Sequence, residues 1–232
     1  MARGPRFYFS LRSPYSWLAH HDLLGLYPDV ADAVEWAPFW EPDPRNERAL
    51  AERGEQFPYA AMSRAKHFYI LQDVARLAAA RGLALEWPVD REPVWEIPHL
   101  GYLVASGSGL GREYVAAAYR ARWEQGRDIC SRETVGQIAA ELGLNPAEVA
   151  GASDDPELRA RGVELLMDVC EDGAFGVPFF VHRFTRFWGV DRLPDFVAHV
   201  RSKLTPAAAL PASSSAVGVG RSSDEGHAGG CG

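Results

Sequence analysis

Between residues 58 and 172 this chain of 232 residues holds no segment that reads as a strand, while both flanks do. That asymmetry limits the fold more than any other feature. Apolar residues recur at helical spacing across Met62–Arg81 (Phe68, Leu71, Val74, Ala75 and Ala78), and Gly82 closes that run. A second run includes Tyr114, Ala117, Ala118, Tyr119 and Trp123, and a third, capped by Ser131, reaches Leu142. Asn145-Pro146-Ala147-Glu148 combines a capping side chain, proline at the first helical position and an acid two residues further on, so another helix starts there. Asp155-Pro156 opens one more, through Leu165, Leu166 and Val169 to Gly173. Pro88, Pro93 and Pro98 mark a connection between the first two runs. The block is expected to be an all-helical insertion.

The flanks supply the sheet. Phe7-Tyr8-Phe9 is an aromatic, strand-like run, followed by a short polar turn and a helix over Tyr15–Leu26 that Pro28 ends. Val34–Trp40 then reads as a second strand, and two strands joined by one helix predict a parallel βαβ unit. Glu41-Pro42-Asp43-Pro44 through Phe57-Pro58 is polar and proline-punctuated, the composition of a binding loop or lid. After the helical block, Phe179–Val181 and Thr185–Gly189 read as strands joined by a link of about four residues, which is hairpin length. From Asp191 a helix places Leu193, Phe196, Val197 and Val200 on one face. Residues 205–232 collapse to Ala, Ser, Gly and Pro and are expected to be disordered. The result is an α/β chain with a thioredoxin-like fold in two parts, 1–57 and 173–204, and a helical domain inserted over 58–172.

The chemistry is expected where the first helix begins. Ser13 is a favoured N-cap and Pro14 a favoured first helical residue. First-turn amides lack intrahelical acceptors and the helix dipole makes that end electropositive, so a hydroxyl there can donate to an anion such as a thiolate. The formal net charge of -7 argues against a nucleic-acid partner, which would need a basic stripe. Cys130, Cys170 and Cys231 are widely spaced with no CxxC pair, so neither a disulfide framework nor a metal site is expected. His20-His21 has no ligand-type neighbours at metal spacing and reads as a packed pair. The segment Met1–Pro5 lacks a signal peptide's apolar run and no stretch is long enough to span a bilayer, which points to the cytoplasm and away from membranes. The aromatic set Trp36, Phe39, Trp40, Trp87 and Trp95 reads mainly as core, with some of it expected to line a cleft between the two subdomains.

Three segments in order, Ser13-Pro14-Tyr15-Ser16-Trp17, Gly173-Ala174-Phe175-Gly176-Val177-Pro178 and Phe187-Trp188-Gly189-Val190-Asp191-Arg192-Leu193, resemble the signatures of the DsbA-like kappa-class glutathione transferases, nearest to the 2-hydroxychromene-2-carboxylate isomerases among them. The resemblance runs over roughly residues 6–204 and implies a thiol-dependent enzyme that is a homodimer. It makes Ser13 the catalytic serine, whose hydroxyl bonds the sulfur of bound glutathione. It makes Pro178 a cis-proline and Val177 the residue whose backbone pairs with the cysteinyl part. Asp191 would take the γ-glutamyl ammonium, the helix start at Asp191-Arg192 the adjacent carboxylate, and Lys66 would lie over the site.

Two departures fall on glutathione recognition. Val190 stands where the family carries Ser or Asn, and an Asn expected ahead of Lys66 is missing near Phe57-Pro58-Tyr59. The cofactor is therefore glutathione or another low-molecular-weight thiol such as mycothiol. Simpler readings stand beside each assignment. Ser13 and Asp191 are good helix caps in their own right, and Lys66 with Arg64 can be a solvated helix face. The expected function is a thiol-dependent isomerase or transferase acting on an unsaturated or aromatic-derived small molecule. The alternative is a DsbA-type oxidoreductase relative that, lacking CxxC, serves as a binding protein in secondary metabolism.

Overall fold

The computed structural model describes residues 3–58 and 62–204; the tail expected at 205–232 and Cys231 lie outside the described residues. Its sheet has four strands in the order β2-β1-β3-β4 (β1 Arg6–Phe9, β2 Glu35–Pro38, β3 Phe179–His182, β4 Thr185–Trp188). β1 and β2 run parallel with Phe7 opposite Trp36, as a strand–helix–strand unit requires. β3 returns antiparallel with Phe180 opposite Phe7, and β4 pairs antiparallel with β3. β3 extends through His182, so the hairpin link is two residues rather than four, with Arg183 in the left-handed region at φ 58°. This is the thioredoxin arrangement, with the helical segment from Pro44 to Asp172 interposed between β2 and β3.

Period-two alternation along β1 divides the core into two layers. On one side Phe7 stacks on Phe180 at 5.0 Å, and Phe180 on Phe196 of α10 (Leu193–Leu204) at 4.9 Å. On the other, Tyr8 joins Ala37, Phe39, Val169, Phe179 and Val181 beneath α9 (Pro156–Asp172). One charged group enters this interior with its partners. Arg6 meets Asp172 at 2.7 Å, and the Tyr8 hydroxyl donates to the same carboxylate at 2.7 Å. Buried charge is tolerated where it is paired and hydrogen-bonded in this way.

Most helices start and stop where their caps dictate. α1 (Pro14–Leu26) begins behind Ser13, and α4 (Arg64–Ala80) behind Ser63, whose side chain accepts from the Lys66 N–H. α8 (Pro146–Gly151) is capped by Asn145 and α9 by Asp155, and Gly173 at φ 67° ends α9 in a left-handed turn. α6 (Gly111–Tyr119) runs into a π-helical turn over Arg120–Glu124, and α7 (Arg132–Glu141) follows.

Three elements differ from the sequence reading, and each contains a proline. Pro28 ends α1 but also opens α2 (Pro28–Ala33). The stretch expected to be a loop contains α3 (Pro44–Ala51), capped by Asp43, which accepts from the Arg45 and Asn46 amides. The connector read through Pro98 ends earlier, at Trp95, and α5 (Glu96–Gly107) follows it; Pro98 lies in the first turn of that helix, where no intrahelical bond is lost.

Candidate active site

Ser13 closes the turn between β1 and α1 in extended geometry (φ -89°, ψ 121°), and its Oγ accepts from the Ser16 N–H at 3.2 Å. The cap uses the oxygen's lone pair and leaves the hydroxyl hydrogen for a further acceptor. Fewer bare amides stand here than the sequence suggested. Pro14 has no N–H, Ser16 donates to Ser13 Oγ, and Trp17 donates to the Ser13 carbonyl at 3.1 Å. Tyr15 therefore supplies the first-turn N–H without an intrahelical acceptor. The turn itself is tied down on every side. Ser10 N–H donates to Ser16 Oγ, Arg12 N–H to Ser10 Oγ, and the Ser10 carbonyl accepts from Ser13 N–H and from the Tyr119 hydroxyl. Leu11 N–H donates to His99 Nε2 at 3.1 Å.

The Val177–Pro178 peptide bond is cis. It lies just ahead of β3, and the Pro178 carbonyl accepts from the Gly189 N–H at 3.0 Å, which ties this bend to the turn after β4. A Cβ at Gly176 would come within 2.9 Å of the Trp188 indole nitrogen, so any larger residue here would displace that indole. At Gly189, φ is 105° and a Cβ would meet Asp191 Oδ1 at 2.6 Å, so this turn depends on glycine.

A cleft of about 660 Å³ opens along the bend. Val177, Pro178, Asp191, Arg192 and Lys66 all line it, with Tyr15 of α1 and Trp188 of β4. Ser13 is not among the lining residues; α1 reaches the cleft through Tyr15, two positions on. Lys66, Tyr69, Ile70, Asp73 and Leu77 form one stripe of α4 facing it, at spacings of three and four residues. Two cations and two carboxylates, Lys66 and Arg192 with Asp73 and Asp191, are thus offered along mostly apolar walls. Tyr15 donates to Asp73 Oδ2 at 2.8 Å; burial, then this bond, pushes the phenol up, so it stays a neutral donor. Asp191 and Arg192 are 70% and 57% exposed and 3.6 Å apart, open to a ligand. Asp191 is not the cap of the last helix: it lies in a 3-10 turn over Val190–Arg192, and α10 starts at Leu193.

Several residues fall elsewhere. Trp36, Phe39, Trp40 and Trp95 are buried and none lines this cleft; its aromatic walls are Tyr15, Tyr69 and Trp188. The α4 stripe could have been found by counting threes and fours from Lys66, whereas Trp188 gave no such signal. Burial pushes the Cys130 thiol up to about 12, and Cys170 points its thiol at the Gln56 carbonyl. His20 is packed edge-on against Trp36 and Tyr119, and no metal-binding cluster occurs among the described residues.

Residues 6–201 match the DSBA-like thioredoxin domain family. A 2-hydroxychromene-2-carboxylate isomerase from Sphingobium xenophagum is 26% identical over 198 residues, covering 85% of this chain and 97% of that protein. A solved structure of a 2-hydroxychromene-2-carboxylate isomerase superposes with a TM-score of 0.68 at 21% identity, over 86% of this chain and 95% of the other. The cytosolic disulfide reductase DsbM from Pseudomonas aeruginosa, solved with GSH, gives 0.57 at 19% identity, over 86% and 98%.

Proposed function

Because this chain belongs to the DsbA-like thioredoxin domain family, we propose that it is a thiol-dependent isomerase or transferase resembling the 2-hydroxychromene-2-carboxylate isomerases, acting on an unsaturated or aromatic-derived small molecule. The observation that carries the reading is the convergence of Val177, Pro178, Lys66, Asp191 and Arg192 on one cleft reached by the first turn of α1. A dipeptide-like or tripeptide-like thiol fits such a lining. The backbone of Val177, which lines the cleft, can pair with its cysteinyl unit, Asp191 with an ammonium, and Arg192 and Lys66 with carboxylates. Glutathione has that charge pattern, and a DsbM structure with GSH supports a thiol guest for this fold.

In this reading Ser13 does not attack. Its hydroxyl is too weak an acid, but its hydrogen can be donated to a sulfur that carries negative charge, close to the positive end of α1. The thiolate adds to a conjugated carbon of the substrate, forming a C–S bond. The alkene electron pair moves toward the substrate's electron-withdrawing group, leaving a single bond about which the molecule rotates. The pair then returns, the C–S bond breaks and the thiolate is released unchanged. For transfer to a conjugated electrophile the C–S bond is kept, and the displaced electron pair takes up a proton from solvent. No cysteine stands in the first turn of α1, so disulfide exchange at this position has no nucleophile.

Replacing Ser13 by Ala is expected to lower turnover by about 10²-fold, the usual effect of removing one donor from a developing anion. The same change should raise the apparent pKa of the bound thiol by about 1–2 units, the worth of a hydrogen bond to a charged group. A pH–rate profile that does not move in Ser13→Ala would rule out the serine as the sulfur's partner.

A further inference from the structure

The turn that presents Ser13 is held from the far side by residues of the helical insertion, and one of these contacts fixes a protonation state. The Leu11 N–H can only donate, so His99 Nε2, 3.1 Å away, must be bare. The imidazole proton is then on Nδ1, from which it is donated to the Trp95 carbonyl at 2.7 Å within α5. The ring is fully buried and stacked on Trp40, with centroids 5.3 Å apart and planes 17° from parallel. A flip of the ring would break both hydrogen bonds. A chain of two hydrogen bonds therefore links the first turn of α5 to the residue two positions ahead of Ser13. Tyr119, from α6, holds the adjacent Ser10 carbonyl at 3.1 Å.

We propose that His99 is a positioning residue for the thiolate site: as a neutral imidazole bare at Nε2, it accepts the Leu11 N–H and locks the Ser10–Ser13 turn in the geometry that aims the Ser13 hydroxyl at bound sulfur. The proposal rests on the thiolate reading above. Its physical ground is that a donor stabilises an anion only when its direction is set beforehand, and the Leu11 amide of this turn finds its acceptor in His99, whereas the Ser10, Arg12 and Ser16 amides are held by the local serines. His99 never meets the sulfur.

Two substitutions separate positioning from support of the fold. His99→Gln retains an acceptor near the place of Nε2, whereas His99→Phe fills the same space with none. The experiment titrates the thiol absorbance of bound glutathione in both variants and the wild type, and follows hydrogen exchange of the Leu11 amide alongside melting temperature. The expected result is a Leu11 amide exchanging at least about tenfold faster in His99→Phe, a bound-thiol pKa raised by about one unit, and recovery of both in His99→Gln. Nitrogen NMR of the wild type should show the Nδ1-protonated form unchanged between pH 6 and 8. Should His99→Phe lower the melting temperature but ionise the thiol as well as the wild type, His99 is structural and the proposal fails while the thiolate reading stands. Should the wild type itself not lower the thiol pKa, the thiolate reading fails and the proposal falls with it.

Discussion

Val190 shows how much one side chain in the cleft is expected to matter. It is half-buried beside Asp191 and Arg192, where a hydroxyl or amide would face the same ligand groups that those residues offer to meet. Val190→Ser is expected to tighten glutathione binding by about 3–10-fold, the worth of one added neutral hydrogen bond. Calorimetry that finds the affinity unchanged would mean that the ligand's polar end lies elsewhere. At this scale the sequence was informative where chemistry and position coincide. Ser13-Pro14 announces a helix start, and Lys66, Val177, Pro178, Asp191 and Arg192, far apart in the chain, do line one cleft. His99 was invisible for a physical reason: its partner lies 88 residues away, and nothing in a lone histidine after a proline says which backbone amide it will meet.

Elements were legible where a cap and a periodic face agreed, and obscured where proline was read only as punctuation. α3 and α5 both carry proline in the first turn, a position that costs no hydrogen bond, so Pro44 and Pro98 were helix signals. Tertiary contacts join the starts of the two helices. Buried Glu96 accepts from the Asp43 N–H at 2.6 Å and the Asn46 amide at 3.3 Å, tying the start of α3 to that of α5. Arg159 of α9 meets Asp43 at 2.9 Å. Gly162 of α9 sits against α5 and the residue that follows β2 by two positions, and a Cβ there would come within 2.8 Å of Leu100 Cδ2 and 3.3 Å of the Trp40 ring. Leu100 is fully buried, so it cannot swing aside. Gly162→Ala gains about 1 kcal/mol in helix propensity but is expected to lose about 1–3 kcal/mol to overpacking. Urea unfolding should therefore show a net loss of stability, and a gain would mean that the α5–α9 contact is looser than described.

For the whole molecule, the joint between sheet and insertion carries a pH dependence. Burial, with His21 adding to it, lowers His20 to about 4. Burial lowers His99 to about 3 against the opposing bond to the Trp95 carbonyl. Unfolded, each takes up a proton below about pH 6.5, so the unfolded chain binds more protons and stability falls as the pH drops. The contribution is complete above that pH and drains away as the pH falls toward 4 and 3, at up to about 1.4 kcal/mol per pH unit for each histidine. Denaturation midpoints should decline from pH 7 to pH 5, and about half as steeply in His20→Gln, where His99 still contributes; a wild-type midpoint constant over that range would contradict it. The order of the fold, sheet, insertion and sheet again, was readable because strands and helices differ in period. The cleft's aromatic walls were not, because which tryptophan faces solvent depends on how distant elements dock. The position of the bound sulfur decides the role of Ser13, and a crystal structure with bound glutathione tests it most directly. The prediction is sulfur within about 3.5 Å of Ser13 Oγ, with the cysteinyl backbone paired to Val177. Glutathione bound with its sulfur turned away from Ser13 would contradict it.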